Sequence, residues 1–423
     1  MTTEVWVAAA IFVVAYLLIA LERFDRTLVA LLGGLLVIAI GLIDQHTAFE
    51  AIDLNVIFLL AGMMIIASIV ARTGLFDWLA LRSVRLARGR PLPLLLILSL
   101  VTAVLSAFLD NVTTVVLMVP ITLSVARRLG VSPVPYLISQ ILASNIGGTA
   151  TLIGDPPNIL IGSAAGLDFA AFILNLGPVA ILVFAAFTVL MWVFFRHSLA
   201  TPDATREAAV EATEESAITN RPLLVKSLVV VALTLLGFLA HQALGLEAAT
   251  VALLGATVLM LIASIDPHDV LREVEWKTLF FFVGLFVLVE AVVAVGIVGG
   301  IAEWLASSVG GHVGVASVSL LWFSALASAV IDNIPYTATA IPIVSRLVEA
   351  GLPADPLWWS LALGACFGGN LTLVGASANI VVVNTAAREG YEIGFWQFLR
   401  YGAAVTLVSL VIATAYVWIR YVP

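Results

Sequence analysis

The chain has 423 residues, of which 62% are hydrophobic and only 11% are Asp, Glu, Lys or Arg. A soluble domain carries about 25% charged residues, so this composition excludes a secreted, cytosolic or nucleic-acid-binding protein. The excess apolar residues require hydrocarbon as a second solvent, and the net charge of −8 rests on so few groups that their placement outweighs their sum.

Apolar runs long enough to cross a bilayer fall at 5–21, 27–43, 54–71, 170–195, 223–243, 249–265, 276–295 and 396–419. The first has no basic flank and no small-residue cleavage site, and is expected as a first span rather than a signal peptide. Gly74–Arg90 sets Phe76, Trp78 and Leu79 against Arg82, Arg85 and Arg88, the pattern of an interfacial amphipathic helix. Two apolar stretches, 92–127 and 314–345, each fold around a central Asp-Asn and are expected as re-entrant hairpins. Two further runs, 136–165 and 357–388, are interrupted midway by Gly, Asn and hydroxyl residues, and the first also by Pro156-Pro157. Glycine and proline break the helical ladder, so both runs are expected as broken helices. Segment 201–221 holds Asp203, Glu207, Glu211, Glu214 and Glu215 beside Arg206 and Arg221. It is expected as a solvated connector, with a regulatory docking site as the alternative.

The two halves align. Val29–Gly33 recurs as Val251–Gly255, Asp44 as Asp266, Asp110-Asn111 as Asp332-Asn333 and Pro120 as Pro342, all 222 residues later. Gly147-Gly148, Thr151-Leu152, Gly154 and Asn158-Ile159 recur at 221 as Gly368-Gly369, Thr372-Leu373, Gly375 and Asn379-Ile380. The expected organisation is a first repeat over 1–197, a connector over 198–222 and a second repeat over 223–423. A hairpin returns to its own side, so each half makes five crossings. Five is odd, so the repeat is inverted, as in many secondary transporters. The fold class is an all-α polytopic membrane protein with about ten crossings. On that count one face collects all the basic residues except Arg346 and Arg420, 17 of the 19. This marks the face as cytoplasmic, puts both termini outside and makes the connector cytoplasmic.

A carboxylate inside an apolar segment costs about 2.5–3.5 kcal/mol on insertion. Asp110 and Asp332 are therefore candidates for ion or proton coupling; in the alternative, each Asp-Asn is a surface turn between two ordinary spans. Where a helix unwinds in a membrane, its freed backbone must be buried or line a cavity. The second half-helix offers N–H groups to a negative ligand and the first offers carbonyls to a cation. Thr149, Thr151 and Asn158, with Asn370, Thr372, Ser377 and Asn379, add neutral hydrogen-bonding groups. Asp155 has Ala376 in its matching place. It is either a proton-coupling group at one site only or the N-cap of the half-helix opening at Pro156. Glu290 and Cys366 are read as an interfacial carboxylate and a small buried thiol, each with a lesser functional alternative. His241 and His312 fall near span ends. One cysteine excludes a disulfide framework or a metal cage within the chain, so no cofactor and no metal are expected. No phosphate-binding loop, His-Glu-x-x-His or Gly-x-Ser-x-Gly occurs, and the chain is not expected to be an enzyme.

Ser106–Thr114, Gly154–Asn158, Asp332–Pro335 and Leu363–Asn379 resemble the ArsB/NhaD group of the ion transporter superfamily, and most of all its melanosomal P protein branch. The resemblance implies a scaffold of outer helices and a mobile part of hairpins and broken helices. It also implies a substrate between the two Asp-Asn tips, facing 147–158 and 368–379. Asn111, Thr113, Gly147, Gly148, Asn333, Gly368 and Gly369 thus join the groups above as substrate-binding candidates. The superfamily's dicarboxylate carriers have Ser-Asn-Thr at the tips, where Asp110 and Asp332 stand here. Two carboxylates would repel a di- or tricarboxylate unless protonated or bridged by cations. The expectation is thus a secondary active transporter working by alternating access, coupled to H⁺ or Na⁺. Arsenite or antimonite efflux is its first reading, and Na⁺/H⁺ antiport or dicarboxylate/citrate-like transport the alternative. A passive anion channel is the reading from another class. The expected surroundings are a bacterial plasma membrane, with a soluble ATPase subunit and a homodimer as partners the sequence permits.

Overall fold

The computed structural model describes residues 3–21, 23–196, 199, 217–309 and 311–422. The connector expected at 198–222 lies outside the described residues apart from 199 and 217–222, and so does most of the docking alternative for 201–221. Among the described residues there are twenty helices and no strand.

The first ten are α1 Thr3–Ala20, α2 Arg26–Ala39, α3 Gln45–Glu50, α4 Leu54–Ala71, α5 Leu75–Leu86, α6 Pro91–Phe108, α7 Asn111–Leu129, α8 Val134–Gly148, α9 Pro156–Ala165 and α10 Phe169–Phe195. The second ten follow in the same order: α11 Arg221–Ala240, α12 Ala248–Ala263, α13 Pro267–Leu271, α14 Trp276–Ala294, α15 Ile297–Val309, α16 Val313–Ile331, α17 Asn333–Glu349, α18 Ala354–Gly368, α19 Ser377–Arg388 and α20 Phe395–Tyr421. The repeat has a local cause at several helix starts. Asp44 accepts the His46 amide at 3.0 Å to open α3, and Asp266 accepts the His268 amide at 2.9 Å to open α13.

Helix α5 is the expected amphipathic helix, burying Phe76, Ala80 and Val84 while Trp78 and Leu86 stay exposed. Its mate α15 has no counterpart in the sequence expectations. It begins 222 residues after α5 but carries Glu303 and no basic stripe, so the charge contrast that marks α5 is missing. The spans expected at 27–43 and 249–265 are shorter than that: α2 has 14 residues and α12 has 16. Gly41 at φ +75° and Ser264 at φ +53° stop them, because a left-handed residue turns the chain off the helix axis. Nine helices among the described residues are long and apolar enough to span a membrane, three of them hairpin arms. Helix length therefore does not count crossings here.

Two pairs of close helix crossings hold the frame. A Cβ on Gly284 of α14 would lie 2.4 Å from the Ala30 carbonyl carbon of α2. The same atom on Gly62 of α4 would lie 2.8 Å from the Ala252 carbonyl carbon of α12. These two contacts are the same contact seen from the two repeats, and they interlock the halves. The second pair lies within each repeat: Gly147 of α8 against Ala103 of α6, and Gly368 of α18 against Ala325 of α16, with a Cβ falling 2.0 and 2.4 Å from the facing carbonyl oxygens.

Helix ends assigned to one face by the span count are in contact. Arg72 pairs with Glu273 at 2.7 Å, Arg127 with Glu389 at 3.0 Å and Lys277 with Asp25 at 2.5 Å. At the other face the Gln242 amide donates to the Gly166 carbonyl at 3.3 Å, and Arg420 reaches Asn175 at 3.1 Å. Outward, α2, α10 and α11 expose Leu28, Leu32, Leu35, Ile181, Val189, Leu233 and Leu236, a surface suited to lipid tails rather than water.

The glycine crossings give a direct test. Gly368→Val is expected to lower stability by about 3 kcal/mol or prevent folding, since overpacking against backbone has no side chain to yield. Gly299→Ala, with open space around it, should leave the melting temperature in detergent unchanged or slightly raised. Equal losses at the two positions would contradict this packing.

Candidate substrate and ion site

Each broken helix unwinds over one short segment, 149–155 between α8 and α9 and 369–376 between α18 and α19. Unwinding frees backbone groups that need partners in an apolar interior, and the two repeats supply them in the same way. The Asn158 side chain donates to the Thr151 and Thr149 carbonyls at 2.8 and 3.2 Å; Asn379 donates to those of Thr372 and Gly369 at 2.9 and 2.7 Å. The Thr151 hydroxyl donates to the Ala107 carbonyl, and Thr372 to that of Ala329, tying each loop to the end of a hairpin arm. Ser106 and Ser328 donate to the Ser144 and Ala365 carbonyls at 2.8 and 2.7 Å.

The hairpin tips reach these loops. Asp110, Asn111, Asp332 and Asn333 are all buried within the protein, at 5%, 2%, 5% and 1% exposure. The Asn111 amide donates to Asp155 Oδ1 at 3.1 Å and the Asn333 amide donates to the same oxygen at 3.0 Å. One carboxylate thus bridges both tips. Asp155 does occupy the N-cap position of α9, but its side chain caps nothing; it is turned inward to the tip amides. Pro156 and Pro157 follow it, so the first two helical positions carry no N–H, and the α9 start does not offer the anion-binding N–H groups expected of a half-helix. Asn145 completes the centre. It accepts from Asn111 at 3.1 Å and donates to Asn370 Oδ1 and Asn379 Oδ1, both at 3.0 Å. Asp155 Oδ2 and Asn111 Oδ1 are buried there without an N–H or O–H donor, and the Cys366 thiol is the further polar neighbour of Asp155.

The two tip aspartates differ. Asp110 Oδ1 accepts the Thr113 amide at 2.9 Å and caps α7. Asp332 Oδ1 accepts the Ile334 amide at 2.9 Å, while its Oδ2 accepts the Ser377 hydroxyl at 2.7 Å and faces Arg26 Nη1 at 3.3 Å. Asp332 also holds φ +87°, where a non-glycine residue is strained. Arg26 touches Ser377 Oγ as well and stacks 5.1 Å from the Phe281 ring centroid.

The structure brings Asn111, Asn333, Asp155, Asn158, Asn370 and Asn379 into one cluster and Asp332 with Ser377 into a second. Gly147, Gly148, Gly368 and Gly369, expected to face substrate, pack closely against neighbouring atoms on the side a Cβ would take. A Cβ on Gly148 would lie 2.4 Å from the Gly154 oxygen, and one on Gly369 3.2 Å from the Ala376 Cβ. Thr151 and Thr372 spend their hydroxyls on hairpin carbonyls, and Thr149 on the Asn145 carbonyl at 2.7 Å. Thr113 is half-buried and enters through its backbone amide. Cys366 is buried with Sγ 3.5 Å from Asn158 Oδ1. Glu290 is half-buried on α14, His312 is exposed before α16, and His241 bonds the Leu246 carbonyl at 2.9 Å at the far face. Asn145 and Arg26 were not among the expected site residues. Asn145 aligns with Cys366, so the repeat hides it, although an asparagine in an apolar segment is itself a signal. Arg26 stands at a span end, where a basic residue is read as a topology marker.

An all-helical protein with an apolar exterior, two broken helices and a buried amide–carboxylate centre has the architecture of a membrane transporter. This chain belongs to the citrate transporter family: residues 16–364 match the family described as CitMHS, citrate transporter. An uncharacterized transporter of Mycobacterium tuberculosis (strain ATCC 25618 / H37Rv) is 45% identical over 423 residues, covering 98% of each chain. The P protein of Homo sapiens is 35% identical over 505 residues, covering 99% of this chain and 60% of that protein. The crystal structure of the Alcanivorax borkumensis YdaH transporter, described as having an unusual topology, matches with a TM-score of 0.61 and 16% identity. That match covers 99% of this chain and 98% of the other, and it shows a shared fold.

Asn145→Ala is expected to destabilise the protein more than Thr151→Val or Thr372→Val. It strips a donor from two buried amide oxygens, at about 1–3 kcal/mol for each group left unsatisfied. The two threonine variants should cost similar amounts because their contacts are equivalent. Thermal unfolding in one detergent ranks all three, and an Asn145→Ala loss no larger than the threonine losses would contradict the network.

Proposed function

We propose that this protein is an ion-coupled secondary transporter of organic polycarboxylates, working by alternating access, with Asp155 as the coupling carboxylate. The observation that supports the coupling is a fully buried carboxylate with no basic partner among the described ion pairs: Asp155 accepts both tip amides on Oδ1, and its other polar neighbour is the Cys366 thiol. A buried carboxylate without a countercharge is costly, and uptake of H⁺ or Na⁺ relieves that cost. Of the three interior carboxylates Asp155 is the one so placed: Asp110 caps a helix and Asp332 is paired with Arg26. This moves the coupling role from the two tip aspartates to the group that bridges them. Because Asp155 binds both tip asparagines, a cation there acts on both hairpins at once.

The substrate class is supported by the family match to citrate transporters. It displaces arsenite or antimonite efflux as the first reading. The single thiol, Cys366, is buried against Asn158, and no thiolate cluster for a metalloid exists in a chain with one cysteine. The setting is a bacterial plasma membrane, with the basic helix ends on the cytoplasmic side.

Proteoliposomes loaded against pH and Na⁺ gradients of each sign test this reading with citrate, succinate and arsenite side by side. Wild-type protein should concentrate a carboxylate when one gradient is imposed. Asp155→Asn, which imitates the protonated group, should lose gradient-driven accumulation by about tenfold or more while still exchanging substrate. Undiminished accumulation by Asp155→Asn sinks the coupling assignment, and transport of arsenite without any carboxylate sinks the substrate class.

A further inference from the structure

The repeat is symmetric in its frame and asymmetric in its charge. On the α9 side stand Asp155 and two prolines. At the matching α19 side stand Ala376, then Ser377 and Ala378, whose N–H groups open the helix with no side-chain cap. Helix-opening N–H groups have no intrahelical partner and carry the positive end of the helix dipole. Arg26, matched in the other repeat by Ala248, lies beside them. A cavity of about 380 Å³ opens at this point, lined by Arg23, Arg26, Lys277, Ser377 and Asn384, with Asp25 as its acidic member. Burial would raise the Asp25 carboxyl, but hydrogen bonds from Lys277 and the Thr27 amide outweigh it and hold the group below the ordinary carboxylate range. Asp25 is thus ionised and occupied by Lys277 at 2.5 Å.

Two of the lining residues already hold a carboxylate behind the cavity wall: Asp332 Oδ2 accepts from Ser377 Oγ at 2.7 Å and faces Arg26 at 3.3 Å. Asp332 adopts a strained positive φ to be there. We propose that Arg26, Ser377 and the first turn of α19 form the binding site for a carboxylate group of the substrate, and that Asp332 fills this site as an internal stand-in when substrate is absent. The inference rests on the polycarboxylate reading above and names the residues that recognise it. A substrate carboxylate entering from the cavity exchanges with Asp332 on the Arg26 guanidinium, a planar fork suited to carboxylates. Asp332, once displaced, takes a proton to stay neutral in the interior, a step local to the tip that leaves transport coupling with Asp155. The exchange also releases a link between α2 of the frame and the second hairpin and broken helix.

Citrate binding to the purified, reconstituted protein tests this, with calorimetry as the readout so that coupling defects do not intrude. Arg26→Gln should weaken binding about tenfold or more, and Arg26→Lys should fall between it and wild type. Asp332→Asn should bind citrate more tightly than wild type, since the internal competitor is gone. The charge-neutral Arg26→Gln/Asp332→Asn pair, which leaves no buried charge unmatched, should bind as weakly as Arg26→Gln alone. Tightening by Asp332→Asn that vanishes without Arg26 is a result that a merely structural ion pair does not produce. Unchanged binding by Arg26→Gln, or weakening by Asp332→Asn, overturns the site while citrate transport by wild type stands. If wild type neither binds nor carries citrate or succinate, the transport reading fails and the site fails with it.

Discussion

The structure depends on the satisfaction of backbone exposed by unwinding two helices inside apolar segments. No water is at hand to bond those groups, so the protein supplies side-chain amides and hydroxyls at fixed places. Asn158 and Asn379 fold back onto the carbonyls of their own loops, and Thr151 and Thr372 fasten those loops to the hairpin arms. The glycines beside them are spent on backbone approach. Several of the polar residues that stand out in the sequence thus also serve to hold two irregular backbone segments in place.

The residues that break the repeat gather around the hairpin tips. Asn145 faces Cys366 across the pseudo-symmetry, Asp155 faces Ala376, Ser377 faces Pro156 and Arg26 faces Ala248. The unmatched residues form an acidic, amide-lined centre on one side and a guanidinium with open N–H groups on the other. On the proposed reading, a symmetric scaffold rocks between two states, and its asymmetric load suits one broken helix to a cation and the other to an anion. Asp155 and Arg26 both touch the hairpin tips, so each proposed ligand would act on the elements proposed to move.

Most of the architecture was legible in the chain, because hydrophobic length, breaks and a repeat at a constant offset are local properties. The hairpins, both broken helices and α5 fall where Asp-Asn, Gly-Gly and the arginine stripe put them. Helix α15 was not legible, since it lacks the charge contrast of its mate, and the short lengths of α2 and α12 were missed because single left-handed residues end them. In the site, Asp155 stood undecided between cap and functional group. Either use starts from the same position, and only the direction of its side chain separates them.

Composition, spacing and parity are enough to establish a membrane protein of two inverted repeats with carboxylates in its apolar segments. Which polar groups are consumed by neighbours emerges with the folded chain. Hydrogen-bond capacity is a property of neighbours: Thr151 is spent because Ala107 is beside it, and Asp155 is half-satisfied because Asn111 and Asn333 converge on one of its oxygens from positions 44 and 178 residues away. Arg26 likewise changed from a marker of sidedness to the partner of Asp332, a contact across 306 residues that no local pattern records.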